Sequence, residues 1–150
     1  MKNKDILACM LSVSGLELTD KEKYLLSKSN PLGVTLFKRN IENKEQVKKL
    51  ISSIKEVIGR EDILIATDQE GGRVCRFSPP EWNTYLSQAQ LAILSEKYGN
   101  EISRLHATLI AQDLKDVGVN WNYAPVLDVA YSDTTEALKS RVFSSDEKIV

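Results

Sequence analysis

Apolar positions along this chain come in blocks rather than one residue at a time. "ILACMLSV" (residues 6–13) is apolar with little alternation, the pattern of a strand buried on both faces. "TDKE" then places Thr19 three residues before Glu22, a capping box that predicts a helix to about Lys28, stopped by Pro31. "GVTLF" (residues 33–37) predicts a second buried strand. Asn43 is placed to cap the next helix with Gln46 reaching back, and Val47, Leu50, Ile51, Ile54, Val57 and Ile58 recur at helical spacing as one apolar stripe. "DILIAT" (residues 62–67) predicts a third strand. Residues 88–117 form a long helical pattern that breaks at "YGN", where Gly99 weakens the first helix and Asn100 can cap the second. "GVNWNYA" (residues 118–124) predicts a fourth strand, residues 125–143 a loop, and "SSDEKIV" the start of a helix.

The predicted order is βαβαβαβ, then a loop and part of a helix, with no linker or low-complexity segment dividing it. Such alternation makes a parallel sheet flanked by helices. Two architectures fit, an open doubly wound sheet and a barrel. The dinucleotide-binding version of the former is disfavoured, because no glycine fingerprint follows Val13. A barrel has eight such units in about 250 residues, of which this chain supplies about half.

Composition narrows the function classes. With 150 residues, 42% hydrophobic and 27% charged, the chain reads as one soluble globular domain. A formal net charge of -1 gives no nucleic-acid footprint, and "KRNIENKEQVKK" mixes both signs as a solvated helix face does. No apolar run approaches the length that crosses a bilayer. "ILAC" faintly resembles a lipoprotein cleavage site, but no hydrophobic region precedes Cys9, so export is not expected. Cys9 and Cys75 fit no metal motif and read as free thiols in a reducing cytoplasm. A single histidine argues against the usual zinc site, and no cofactor is expected.

Ligands of parallel α/β folds lie at the carboxyl ends of the strands. "DQEGGRVCRF", which follows the third predicted strand, is the richest loop there. Asp68 and Glu70 are two apart, Gly71-Gly72 permits a tight turn, and Arg73 and Arg76 supply fixed cations. Acids with arginines at a strand end can bind sugar hydroxyls, a metal or a phosphate. They can equally be a loop held by internal ion pairs.

Three stretches carry a family resemblance. "GVTLFKRNI" resembles the "GvilFaRNi" segment of family 3 glycoside hydrolases. "DQEGGRVCRF" is very similar to the "DQEGGRVqRf" signature of their bacterial β-N-acetylhexosaminidase branch, and "NYAPVLDV" resembles that branch's "fAPVLDl". The three occur in the same order and spacing. The resemblance implies the first half of a TIM-type (β/α) barrel, about four βα units, with residues 1–150 as the N-terminal part of a catalytic barrel domain. It implies removal of terminal β-linked N-acetylglucosamine, in recycling of bacterial cell-wall muropeptides in the cytoplasm.

Carried over by residue, Asp68 matches the acid that grips sugar hydroxyls, and Arg76 and Arg141 match arginines that contact substrate. A carboxylate accepts two hydroxyl hydrogen bonds and guanidinium donors fix orientation, which suits those roles. Glu70 and Arg73 are expected to brace the loop. Asp128 is placed for either loop support or a site role, and Arg39 and Asn40 for loop holding. His106 is expected to be a helix residue outside the chemistry, and Trp82 and Trp121 to be packing residues. The chain departs from the family pattern at Lys139, Ser140 and Val142 around Arg141, and at Cys75, where a polar residue is usual.

Retaining glycosidases also need a nucleophilic carboxylate and a separate acid/base group. In the family branch these are an aspartate on a later strand and a histidine on a mobile loop, both beyond the equivalent of Val150. The 150-residue chain is therefore expected to be inactive alone, the N-terminal part of a split or truncated enzyme. A complementary C-terminal half or self-association would complete it. The alternatives are a half-barrel that binds amino sugar without cleaving it, and a fragment without function.

Overall fold

The computed structural model describes residues 5–150. The chain divides into two compact units, one holding the chain up to Thr67 with Leu114–Asn122, the other Asp68–Asp113 with Tyr123–Val150.

The first unit is built on a parallel sheet. β1 (Leu7–Ser12), β2 (Pro31–Leu36), β3 (Leu64–Thr67) and β6 (Trp121–Asn122) lie side by side in chain order, every pair parallel. A doubly wound sheet reverses its strand order at a switch point. This sheet never reverses, so the winding is that of a (β/α) barrel, and four strands make half of one. α1 (Asp20–Ser29) and α2 (Lys44–Ile58) cross between the strands.

Local sequence explains these elements. Glu22 Nα bonds Thr19 Oγ1, and Glu22 Oε2 accepts from Thr19 N, so the predicted capping box is present. α1 ends at Asn30, whose φ of 45° turns the chain before Pro31 opens β2. Asn43 caps α2 by accepting from Gln46 N. Gln46 does not reach back to the Asn43 backbone as expected. Its Oε1 accepts from Glu42 N, and its Nε2 donates to the carbonyls of Leu16 and Asn40. Val47, Leu50, Ile51 and Ile54 are buried as the stripe predicts, whereas Val57 and Ile58, on the last turn, stay half-buried. Ile65, Val34 and Leu36 are fully buried in the sheet, as is Ile63 just before β3.

The fourth strand is much shorter than predicted. Asn120 bonds β3 through both backbone and side chain: its N–H donates to Ile65 O at 3.1 Å, its Oδ1 accepts from Ile65 N at 2.7 Å and its Nδ2 donates to Ile63 O at 3.0 Å. Only Trp121 and Asn122 then pair with β3. Trp121, expected to pack, is 50% exposed.

The second unit begins with a small antiparallel ribbon, β4 (Gln69–Gly71) with β5 (Val74–Cys75). α3 (Gln88–Tyr98) and α4 (Glu101–Val117) follow, divided at Gly99 as predicted, and α4 gives its last residues to the first unit. Phe77 and Trp82 pack edge to face at 5.0 Å, both buried. Residues 125–143, expected to be loop, contain one helical turn, α5 (Glu136–Lys139). "SSDEKIV" forms turns rather than a helix, because Asp146 Oδ1 takes the Lys148 N–H and Ser144 Oγ takes the Asp146 N–H. Such local side-chain bonds compete with a helical ladder.

Candidate functional site

Asp68 follows the last residue of β3 directly, so the charged segment leaves the sheet at a strand's carboxyl end. The chain then folds back on itself at Gly71 and Gly72, which have φ of 97° and 59°. Side chains rarely adopt either conformation. Space forbids a side chain too: a Cβ on Gly71 would collide with the Leu86 carbonyl oxygen, and one on Gly72 would lie 2.6 Å from Ser87 Cβ. The Gly72 N–H donates to Tyr85 O at 2.9 Å. The glycine pair thus seats the ribbon against residues 85–87.

Gln69 holds the ribbon shut. It is 1% exposed, its Nε2 donates to Phe77 O at 2.8 Å, and its Oε1 accepts from Arg76 N at 2.9 Å and Phe77 N at 3.1 Å. One side chain therefore fixes the backbone that carries Arg76. Arg76 in turn donates from Nη2 to Asp68 Oδ2 at 2.9 Å, with the two side chains 29% and 25% exposed. Asp68 Oδ1 makes no hydrogen bond among the described residues, so half of this carboxylate remains open.

Glu70 has the opposite fate. Its side chain is 4% exposed and both oxygens are taken by Arg141, from Nε at 2.7 Å and Nη2 at 2.7 Å. This two-pronged pairing fixes the guanidinium plane. The hydrogen bonds to Glu70 hold Arg141 above its ordinary pKa; partial burial opposes them, and the charges of Glu70, Asp68 and Asp128 add to them. Asp128 is exposed, on a segment pinned by a second buried glutamine. Gln88 donates to Val126 O at 2.9 Å and accepts from Val126 N at 2.8 Å.

The structure therefore brings together Asp68, Arg76, Glu70 and Arg141, with Asp128 near enough to act on Arg141 electrostatically. Arg73 is not a brace: it is exposed at the ribbon's turn and makes no ion pair or hydrogen bond among the described residues. The glycines aim the chain there, so bracing falls to Glu70 and Gln69. Arg39 and Asn40 hold a loop as expected, through Arg39 Nε and Asn40 Nδ2 to Val13 O and Asn40 Nδ2 to Gly15 O.

His106 packs edge to face on Tyr85, with ring centroids 5.4 Å apart. Burial lowers its pKa, against a smaller opposing effect of a hydrogen bond to the Leu86 backbone. Burial raises Tyr85 to about 12, helped by its hydrogen bond to Asp113. These groups support the ribbon from behind. Among the described residues no group of histidine, cysteine and acidic side chains could hold a metal.

Sequence reasoning missed Gln69 and Gln88. Both are polar residues that the fold buries, and nothing in a single sequence separates them from exposed glutamines. The one available signal was the position of Gln69 between two acids in a run that had to turn sharply.

Comparison with known proteins bears on the chain as a whole. The family model described as glycosyl hydrolase family 3 N terminal domain matches residues 5–150. A beta-hexosaminidase of Xanthomonas euvesicatoria is 33% identical over 147 residues, covering 94% of this chain and 42% of that protein. A beta-hexosaminidase of Thioalkalivibrio sulfidiphilus is 36% identical, over 94% and 41% respectively. The chain thus spans well under half the length of these curated relatives. A crystal structure of NagZ from Neisseria gonorrhoeae in complex with N-trifluoroacetyl-D-glucosamine superposes with a TM-score of 0.85 at 28% identity, over 95% of this chain and 43% of that one. A family 3 beta-N-acetylglucosaminidase from Paenibacillus sp. gives a TM-score of 0.84 at 26% identity, over 93% and 26%.

Proposed function

The chain belongs to glycosyl hydrolase family 3, and from that premise we propose that it forms the sugar-gripping half of a β-N-acetylhexosaminidase. The substrate is a terminal β-linked N-acetylglucosamine on a small saccharide or muropeptide, and the setting is cytoplasmic recycling of bacterial cell wall. Asp68 accepts sugar hydroxyls, and Arg76 and Arg141 donate to the same sugar. Support comes from beta-hexosaminidases among the relatives and from a NagZ structure holding a glucosamine derivative.

The observation that carries the reading is the unequal use of two acids two residues apart. Glu70 is sealed and fully committed to Arg141, while Asp68 keeps one oxygen open beside a guanidinium. A loop built only for internal ion pairs has no need to leave one acid half-used.

Bond cleavage needs a nucleophile and an acid/base group, which the resemblance assigns to segments matching nothing in these 150 residues. The chain alone therefore turns over no aryl N-acetyl-β-glucosaminide. Joined to the C-terminal half of a family relative, it hydrolyses that substrate with retention of anomeric configuration. Turnover by the 150-residue chain, abolished by Asp68→Ala, would show that the catalytic groups lie within it. A well-folded joined protein without activity would remove the sugar reading.

A further inference from the structure

The short stretch 85–89, which leads into α3, meets each of the segments that carry Asp68, Asp128 and Arg141. The Gly71-Gly72 turn sits against Leu86 and Ser87, and the Gly72 N–H reaches Tyr85 O at 2.9 Å. Ser87 then starts the helix: its Oγ accepts from Gln90 N, and Gln90 Oε1 accepts from Ser87 N. First-turn N–H groups have no acceptor within a helix, and Ala89 gives its own to Ser140 O at 3.4 Å, one residue before Arg141. Gln88, the first residue of α3 and 3% exposed, takes both peptide groups of Val126, two residues before Asp128. The two later segments are tied to each other by Ala130 N to Ser144 O at 2.9 Å. An amide buried on a helix's first turn costs free energy unless both of its ends are paired, and here both are spent on one residue of a site segment.

We infer that Gln88 is a positioning residue for the site: it sets the register of the segment bearing Asp128 and, through the Ala130–Ser144 tie, the direction of Arg141 against Glu70. Its amide exchanges two hydrogen bonds with Val126, as a paired residue in an antiparallel ladder does. That pairing needs a donor and an acceptor side by side. An amide offers both, a carboxylate only the acceptor, and a protonated carboxyl group both again. An apolar side chain of similar length fills the space and offers neither. The effect of Gln88 on turnover rests on the sugar reading, whereas its hold on Val126 and Arg141 does not.

Two readouts test it, both taken well below each variant's melting midpoint and expressed relative to wild type at the same pH. The first uses the 150-residue chain, following hydrogen exchange of the Val126 amide and of Arg141 Nε–H by NMR. Gln88→Met should speed both about tenfold or more at every pH. Gln88→Glu should speed them at neutral pH, where a carboxylate cannot donate to Val126 O, and return toward wild type as pH falls and the donor is restored. Burial raises a carboxyl pKa, so the return should begin above the ordinary value of about 4.3. The second readout is kcat/KM of the chain joined to a family C-terminal half. Both variants should lose about tenfold or more at neutral pH, and acid should restore Gln88→Glu alone. Exchange at Val126 and Arg141 that ignores the substitutions overturns the inference, as does an active joined protein whose kcat/KM they leave unchanged. A Gln88→Glu chain that stays perturbed in acid shows that the side chain acts by packing, and also overturns it. The expected exchange pattern in a joined protein that is folded but inactive upholds the positioning role and removes the sugar reading alone.

Discussion

The parallel sheet and the ribbon after it are stabilised by different physics. The sheet unit is held by apolar side chains at near-zero exposure and by backbone ladders between consecutive strands. The ribbon has few apolar residues, and buried amide and carboxylate groups fix its shape: Gln69 across β4 and β5, Glu70 to Arg141, Gln88 to residue 126. Apolar packing is forgiving, because a replacement of similar volume still fills the space. Buried polar groups are unforgiving, because each has a specific partner that is left unsatisfied when it goes. The scaffold therefore tolerates drift, and the site holds its side chains to fixed directions.

Truncation in the sheet unit should have the largest effect. Ile54, fully buried on α2, should cost about 3 kcal/mol as Ile54→Ala and less than about 1.5 kcal/mol as Ile54→Leu, read from denaturant unfolding. Gln69→Leu puts the contrast most sharply. Were apolar burial the rule in the ribbon, this near-isosteric change would be neutral. It should instead cost about 2 kcal/mol, because the Phe77 carbonyl and the N–H groups of Arg76 and Phe77 lose their partner. Arg141→Ala should cost a comparable amount by stranding the Glu70 carboxylate. Glu70→Ala added to it should recover part of the loss, a coupling measurable in a double-mutant cycle.

The smallest effect lies at the first turn of α1. Burial alone would raise the Glu22 pKa, but hydrogen bonds from Thr19 and Ser14 outweigh it and bring the group from 4.5 down to about 2. A depressed folded-state pKa contributes stability above the unfolded value, and the contribution is lost as pH falls. The melting difference between wild type and Glu22→Gln should thus be full at neutral pH and shrink from about 4.5 toward 2. A difference that stays constant over that window would place the effect in packing rather than in the charge.

What was legible in the sequence follows the same division. Unbroken apolar runs and a stripe at helical spacing marked β2, β3 and α2, because burial on a regular element leaves a trace; the run at residues 6–13 located β1 as well, but its expected burial on both faces is not found, its residues being exposed or half-buried. The Thr19–Glu22 box marked the start of α1 because capping is local. β6 was overestimated, since "GVNWNYA" gives no hint that the Asn120 side chain takes the Ile65 N–H and the Ile63 carbonyl. At the site, Asp68, Arg76 and Arg141 stood out through the family motif, and Glu70 through its charge. That Glu70 meets Arg141, 71 residues away, is tertiary information, as is the burial of Gln69 and Gln88. Arg73 looked like Arg76 in the sequence and differs from it only because the Gly71-Gly72 turn carries it outward.

The central claim is that Asp68 is held open for a sugar while its neighbours are spent on holding it there. Steady-state kinetics beside a thermal melt, on the chain joined to a family C-terminal half, tests this most directly. Asp68→Ala should lower kcat/KM by two orders of magnitude or more, about 3 kcal/mol, with the melt nearly unchanged, since contacts to sugar hydroxyls strengthen in the transition state. An Asp68→Ala protein that melts early and keeps its kcat/KM would contradict the account and leave Asp68 as the partner of Arg76 and nothing more.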